Sequence, residues 1–253
     1  PPGMEYELNM PVLGQPASAF IPQPFSFCGM TVDAHDNLYL VDATDYAAIK
    51  VMRFDPEGMI TARWPAPADY RPSSACLASD VEHIYLIGVG GNTYALDYDG
   101  KQVAQARLGF EPWAVSNVPE GVSGLGALVA AGPGALVSME MRDGKLVTHT
   151  LEAPPLELQL PLLARRNGEL LFSDHQARKV ARWDPVNGKV LGTIGEPGTL
   201  PGQLGDIGGL AEDSEGRVYV GDPVNRAVQR FMPDGTIDAV WSAQDPNEAG
   251  EGR

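Results

Sequence analysis

The 253-residue chain is short of several things that would each define a class of protein. It has two cysteines, Cys28 and Cys76, far apart and in no CxxC arrangement, so a zinc ribbon and a dithiol redox motif are both excluded. Their spacing leaves two states open, buried thiols or one disulfide formed in an oxidising compartment. Positive charge is scarce too, with 18 Lys and Arg against 33 Asp and Glu and a net charge of −15. A surface this acidic repels phosphate backbones and anionic lipid, which argues against nucleic-acid binding and electrostatic membrane docking. A basic, amine-bearing or metal-bearing partner suits it better. HExxH, GxSxG and P-loop motifs are absent, as is a GxGxxG opening a helix. The most membrane-like stretch, 121–139, has no charged residue but holds five glycines and a central Gly132-Pro133-Gly134, and reads as two strands and a turn rather than a membrane span.

Punctuation is what the chain has in abundance. Its 29 glycines and 22 prolines exclude a bundle of long helices, while 43% hydrophobic residues exclude a disordered chain. A chain of this size buries roughly 70% of its unfolded surface, enough to fold without a disulfide or a metal.

A repeat organises the rest. Short acidic or Asn-bearing segments close on Gly58, Gly100, Gly144, Gly188 and Gly235, spaced 42, 44, 44 and 47 residues apart. Around each glycine the same strand order returns. Second-strand runs fall at 38–42, 84–88, 128–132, 170–174 and 218–222, and last-strand runs at 59–64, 101–108, 145–151, 189–194 and 236–241. Inner-strand candidates precede them at 29–33, 75–79, 112–116, 161–165 and 209–213. Four strands of five or six residues cannot bury both faces of one unit, whereas radial stacking of such units does. The expectation is an all-β β-propeller of four-stranded blades spanning 25–242. Five repeats are countable, and the ring is five- or six-bladed. Residues 1–24 form an N-terminal strand and loop that close the ring, and 243–253 a polar tail.

In the fifth repeat, GEPGTLPGQL over 195–204, GLAEDSEG over 209–216, VYVGD over 218–222, NRAVQRF over 225–231 and PDG over 233–235 resemble an NHL repeat almost position by position. The first repeat is similar through GMTVD at 29–33, DNLYLVD at 36–42 and FDPEG at 54–58. Repeats two and three depart from it, with Gly88 and Gly132 where the second strand otherwise ends in Asp, and with extra residues between Ser116 and Leu128. The resemblance implies a propeller that works by binding, outside the cytoplasm as in exported bacterial relatives.

Most recurring residues need no function. The closing glycines supply positive φ in tight turns, and Asp42, Asp174 and Asp222 can accept hydrogen bonds from the turn that follows. Arg178 and Arg226 stand where a cation can pair with that Asp or a neighbouring blade's acid. Loops gathered on one face of a rigid propeller are where recognition is expected. Turns between second and third strands and links between blades share a face, so the binding candidates are Tyr46, Asn92, Tyr70, Arg71, Trp113, His175, Arg178, Asn225 and Arg226, with 156–158 nearby. The leading function is a non-catalytic protein-interaction module or rigid subunit of a larger extracytoplasmic assembly, with no cofactor. The alternative is a calcium-dependent lactonase or esterase of the gluconolactonase type, for which Asp33, Asn117 and Asp213 would supply oxygen ligands. An inward-pointing Arg165 would oppose it. His35, His83, His149 and His175 fall at different strand positions, which does not assemble a three-histidine zinc site.

Overall fold

The computed structural model describes residues 27–45, 47–154 and 159–242. Expectations for 1–24, Tyr46, 156–158 and 243–253 concern residues outside these, and the side chains of Cys28 and Cys76 are likewise not described. Twenty of its strands make five four-stranded antiparallel sheets, each a simple up-and-down meander. Blade 1 comprises β1 (Phe27–Val32), β2 (Leu38–Asp42), β3 (Lys50–Phe54) and β4 (Ile60–Pro65). Blade 2 has β5 (Pro72–Ser79), β6 (His83–Gly88), β7 (Asn92–Asp97) and β8 (Gln102–Arg107). Blade 3 has β9 (Ala114–Asn117), β10 (Leu128–Gly132), β11 (Ala135–Arg142) and β12 (Lys145–Thr150). Blade 4 has β13 (Gln159–Ala164), β14 (Leu170–Asp174), β15 (Lys179–Asp184) and β16 (Lys189–Ile194). A two-residue parallel ladder, β17 (Glu196–Pro197) with β18 (Gln203–Leu204), stiffens the link to blade 5. Blade 5 has β19 (Gly209–Glu212), β20 (Val218–Asp222), β21 (Ala227–Phe231) and β22 (Ile237–Ser242).

The fold is a five-bladed β-propeller, and the repeat period is the blade period. All five closing glycines have positive φ, from 62° at Gly188 to 91° at Gly235, a region that a side chain would strain. At Gly100 a Cβ would also collide with the Trp64 ring of the preceding blade, so this glycine serves the stacking as well as the turn.

Stability comes from apolar faces pressed between blades. Tyr39, Val41 and Val51 meet Ile84, Leu86 and Leu96 between blades 1 and 2. Tyr85, Ile87 and Ala95 meet Leu128, Ala130 and Met139 between blades 2 and 3. Val129 and Leu136 meet Leu170, Phe172 and Trp183 next, and Leu171 and Val180 meet Val218, Val220 and Phe231 last. Among the described residues, inner strands pack in the order β1, β5, β9, β13, β19, and any contact between β19 and β1 is weaker than between these neighbours.

Gly88 and Gly132, the departures from the NHL pattern, have a steric reason. A Cβ at Gly88 would stand 2.7 Å from the Arg71 carbonyl, and one at Gly132 2.7 Å from the Glu111 carbonyl and against the Phe110 ring. In blades 2 and 3 the incoming link therefore runs directly over the end of the second strand. In blade 5 the link is held off by the Asp222 carboxylate, which accepts from Gly205 N at 2.9 Å, Asp206 N at 3.2 Å and Asn225 N at 3.1 Å. Asp42 and Asp174 accept from Thr44 N and Ala177 N in the same way.

Candidate functional site

The inner strands of all five blades line one cavity of about 1470 Å³. Apolar side chains such as Leu77, Leu162 and Leu210 form its wall, and it opens among the turns between first and second strands, at Asp80, Glu82, His83 and Arg166. The extra residues of repeat three build part of this mouth, at 118–124, 126 and 127. That loop is anchored by Leu125, which is fully buried, and bends at Gly121, Gly124 and Gly126, all of positive φ.

Polar groups in the channel are engaged with one another. Thr31 Oγ1 and Ser79 Oγ are 2.8 Å apart, the Asn117 amide donates to Thr31 Oγ1 at 2.8 Å and Ser79 Oγ at 3.1 Å, and its carbonyl accepts from Ser79 N at 2.9 Å. Ser116 Oγ accepts from Ala164 N at 2.9 Å. This ladder joins four blades.

The calcium candidates are each engaged by other groups. Asp33 is consumed by its own turn, accepting from His35 N, Asn37 N, the Asn37 amide and the Tyr39 hydroxyl at 2.8–3.0 Å. Asp213 repeats the pattern with Glu215 N, Arg217 N, the Arg217 guanidinium and the Tyr219 hydroxyl. Burial works to raise both carboxyls, but these donors hold Asp33 below the usual range and bring Asp213 down to about 2. Among the described residues no three His, Cys, Asp or Glu side chains gather as a metal ligand set. Arg165 corrects one expectation. It does not point into the channel but is 2% exposed, bound by Glu169 at 2.9 Å, Glu212 at 2.7 Å and the Gly216 carbonyl at 2.9 Å, and so ties blade 4 to blade 5.

The histidines are dispersed. His35 lies edge-on to Tyr98, His83 bonds Asp80, His149 faces Glu140 and His175 Nδ1 meets Asp206 Oδ1 at 2.7 Å.

On the opposite rim, turns between second and third strands do meet the links, as the repeat implies. Arg71 O accepts from Val89 N, Gly90 N donates to Glu111, and Asn225 Nδ2 donates to Gly198 O. Several binding candidates are thereby spent on structure. Tyr70, 1% exposed, is a core residue packed edge-on to Tyr94, a correction to its place on the binding face. Asn92 caps its own turn through Val89 O, and Asn225 is bound by Asp222. Trp113, His175, Arg71, Arg178 and Arg226 keep exposed surface. Arg178 and Arg226 adopt positive φ, 52° and 50°, and among the described residues neither makes an ion pair with Asp174 or Asp222.

A second surface escaped the sequence reading. In blades 1 to 4 the third-strand residues Val51, Thr93, Leu136 and Val180 are buried, and Val51, Leu136 and Val180 pack into clusters shared with the next blade. Their equivalent in blade 5, Val228, is 42% exposed, and its cross-strand partner Trp241 is 49% exposed. Trp241 stacks on Tyr219 at 6.1 Å, with the Arg230 guanidinium 5.3 Å from the indole. Beside them is a largely apolar hollow of about 530 Å³ lined by Gly209, Gly221, Pro223, Arg226, Val228 and Trp241. The signal was present in the repeat alignment, because Val228 occupies a position that is buried in each of the other four blades.

No known family pattern matches the sequence, and no curated protein matches it. Solved structures do. A streptogramin B lyase superposes with a TM-score of 0.58 at 15% identity, over 90% of this chain and 72% of that one. Virginiamycin B lyase from Staphylococcus aureus, in a catalytically inactive form with quinupristin, gives 0.59 at 13% identity over 89% and 72%. The Pan2 WD40 domain of Neurospora crassa gives 0.58 at 12% identity over 85% and 65%. The likeness is one of fold. An enzyme and a WD40 domain share it, so the propeller fixes the scaffold and leaves the activity to the site.

Proposed function

We propose that the chain is a non-catalytic, NHL-like propeller that docks a partner protein and acts as a rigid subunit of an extracytoplasmic assembly. The observation that carries this is the face of blade 5 at Val228, which is exposed at a position that the other four blades bury, beside the exposed Trp241. Contiguous exposed apolar surface beside an aromatic stack is the chemistry of a protein contact. Arg226 lines the hollow, and on the blade 4 turn beside the His175–Asp206 pair stands Arg178, a second exposed cation on a chain of net charge −15. The occupant that fits is a partner segment with an apolar side chain for the hollow and a carboxylate for Arg226. Catalysis is disfavoured because the acids and amides at the inner-strand ends are already committed to turns and to the channel ladder.

Val228→Asp tests this. It places a charge on the open face, and the expected result is a loss of about tenfold or more in affinity for the co-purifying partner, with the urea midpoint unchanged. Unchanged affinity overturns the reading, as does a lower urea midpoint with no partner lost, which would mean that the chain's own ends or a second copy cover the face. Chelator-sensitive hydrolysis of a lactone by the wild-type chain would overturn its non-catalytic part.

A further inference from the structure

We propose that the central channel binds a bulky aliphatic molecule that carries a primary or secondary ammonium group. This function is separate from partner docking on blade 5 and uses none of the residues of that face. The channel encloses about 1470 Å³, room for a small organic ligand. The wall sets the chemistry of the ligand's body. Met30, Val32, Leu77, Val115, Leu162 and Leu210 line it, and Met30 and Val32 are 64% and 49% exposed there. Water held against such a wall is replaced favourably by an apolar body. The polar groups of the inner strands ask for no partner, because Thr31, Ser79, Asn117 and Ser116 are already bonded to one another and to backbone atoms of the same strands.

The mouth sets the ligand's charge. Glu82, in the turn that joins the first two strands of blade 2, and Glu120, in the extra loop of blade 3, are exposed there, and among the described residues no hydrogen bond or ion pair engages either carboxylate. The other acids of the mouth are occupied, Asp80 by His83 N and the Tyr85 hydroxyl, Glu140 by Arg142 and His149, and Glu212 by Arg165 and Arg166 N. One guanidinium, that of Arg166, is exposed and likewise unengaged among the described residues. Two free carboxylates outweigh it, and the low-dielectric wall focuses the field of a chain of net charge −15 into the opening. The form of the cation follows from what is missing. A quaternary ammonium is recognised by aromatic faces, and among the described residues the lining has no Phe, Tyr or Trp. Carboxylates accept hydrogen bonds, which an N–H-bearing ammonium supplies. Glu120 also belongs to the residues that repeat three adds to the blade pattern, a loop held by the buried Leu125, and added loops on a rigid scaffold are where recognition residues collect.

The test is calorimetric titration of the full chain with adamantylammonium, a rigid aliphatic probe, alongside adamantanecarboxylate and trimethyladamantylammonium, which keep the body and change the charge or remove the N–H donors. Adamantylammonium should bind saturably at a single site, about tenfold or more tighter than either of the others, and should weaken as salt is added. Replacing both acids, Glu82→Gln with Glu120→Gln, should bring the three probes to within about threefold of one another. Arg166→Gln should tighten adamantylammonium. Val32→Lys, a cation on the exposed wall, should abolish saturable binding at an unchanged urea midpoint, whereas Val228→Asp should leave it intact, so failure of this site and failure of partner docking are told apart. Carboxylate or trimethyl probe bound as tightly as adamantylammonium overturns the proposal, and so does binding that survives Val32→Lys. Weaker binding in Arg166→Gln would assign the site to a carboxylate-bearing ligand and overturns it as well. Absence of saturable binding to the wild-type chain contradicts it outright, and the comparison of probes on that chain stands whether or not a variant folds.

Discussion

An acid in this propeller is first a turn former. Asp33 and Asp213 close the turn after an inner strand, and each accepts a tyrosine hydroxyl from the second strand, Tyr39 and Tyr219; Asp80 does the same with Tyr85 at 2.5 Å. The tyrosine five or six residues after each acid was visible in the sequence, but its meaning depends on the antiparallel pairing that folds the second strand back over the turn. Asp222 belongs to the same economy, and Asp222→Ala leaves the Gly205, Asp206 and Asn225 amides without an acceptor. The expected cost is roughly 2–4 kcal/mol, seen as a lower urea midpoint, with partner binding intact at low temperature. Lost binding at unchanged stability would assign Asp222 to the interface instead. A pH dependence follows as well. Burial alone would raise Glu169, yet Arg182 and Arg165 hold its carboxyl below the usual range, as turn donors do for Asp33 and Asp213. A carboxyl depressed by folding stabilises above its unfolded pKa and loses that contribution as pH falls through its folded value. Urea midpoints should therefore hold steady above about pH 5 and decline from about pH 4 toward 2. Glu169→Gln should flatten part of that decline.

At the scale of elements, a strand end is shaped by what crosses it. Gly132→Ala would push a methyl into the Glu111 carbonyl and the Phe110 ring and is expected to cost roughly 1–3 kcal/mol. Gly134→Ala, at φ 63° with open space around it, should cost about 1 kcal/mol from backbone strain alone. Equal losses in denaturant melts would remove the close approach of the link as the reason for Gly132. Blades were legible because turn glycines and second strands recur with the blade: the expected 38–42, 128–132, 170–174 and 218–222 are the observed β2, β10, β14 and β20. Inner strands were placed within a few residues, their beginnings blurred by the register shifts in β1, β5 and β13. The site was less legible. Tyr70 and Asn225 carry the residue types of a binding face, but whether such a side chain reaches solvent is decided by the adjoining blade, which no local pattern records. Arg165 was misread for the same reason, since its partner Glu212 comes from the next blade.

For the whole molecule, four blade interfaces are packed among the described residues, and the outer face of blade 5 is exposed there at Val228 and Trp241. The exposed Met30 and Val32 of blade 1, by contrast, line the channel. Under the proposed function, the exposed face of blade 5 is where the partner docks. The most direct measurement is native mass spectrometry of the protein isolated gently from its source, before and after chelator. A heavier particle of defined stoichiometry, unaffected by chelator and dispersed by Val228→Asp, is the predicted result. A lone chain that carries one tightly held calcium, released by chelator with a fall in Tm, would contradict it.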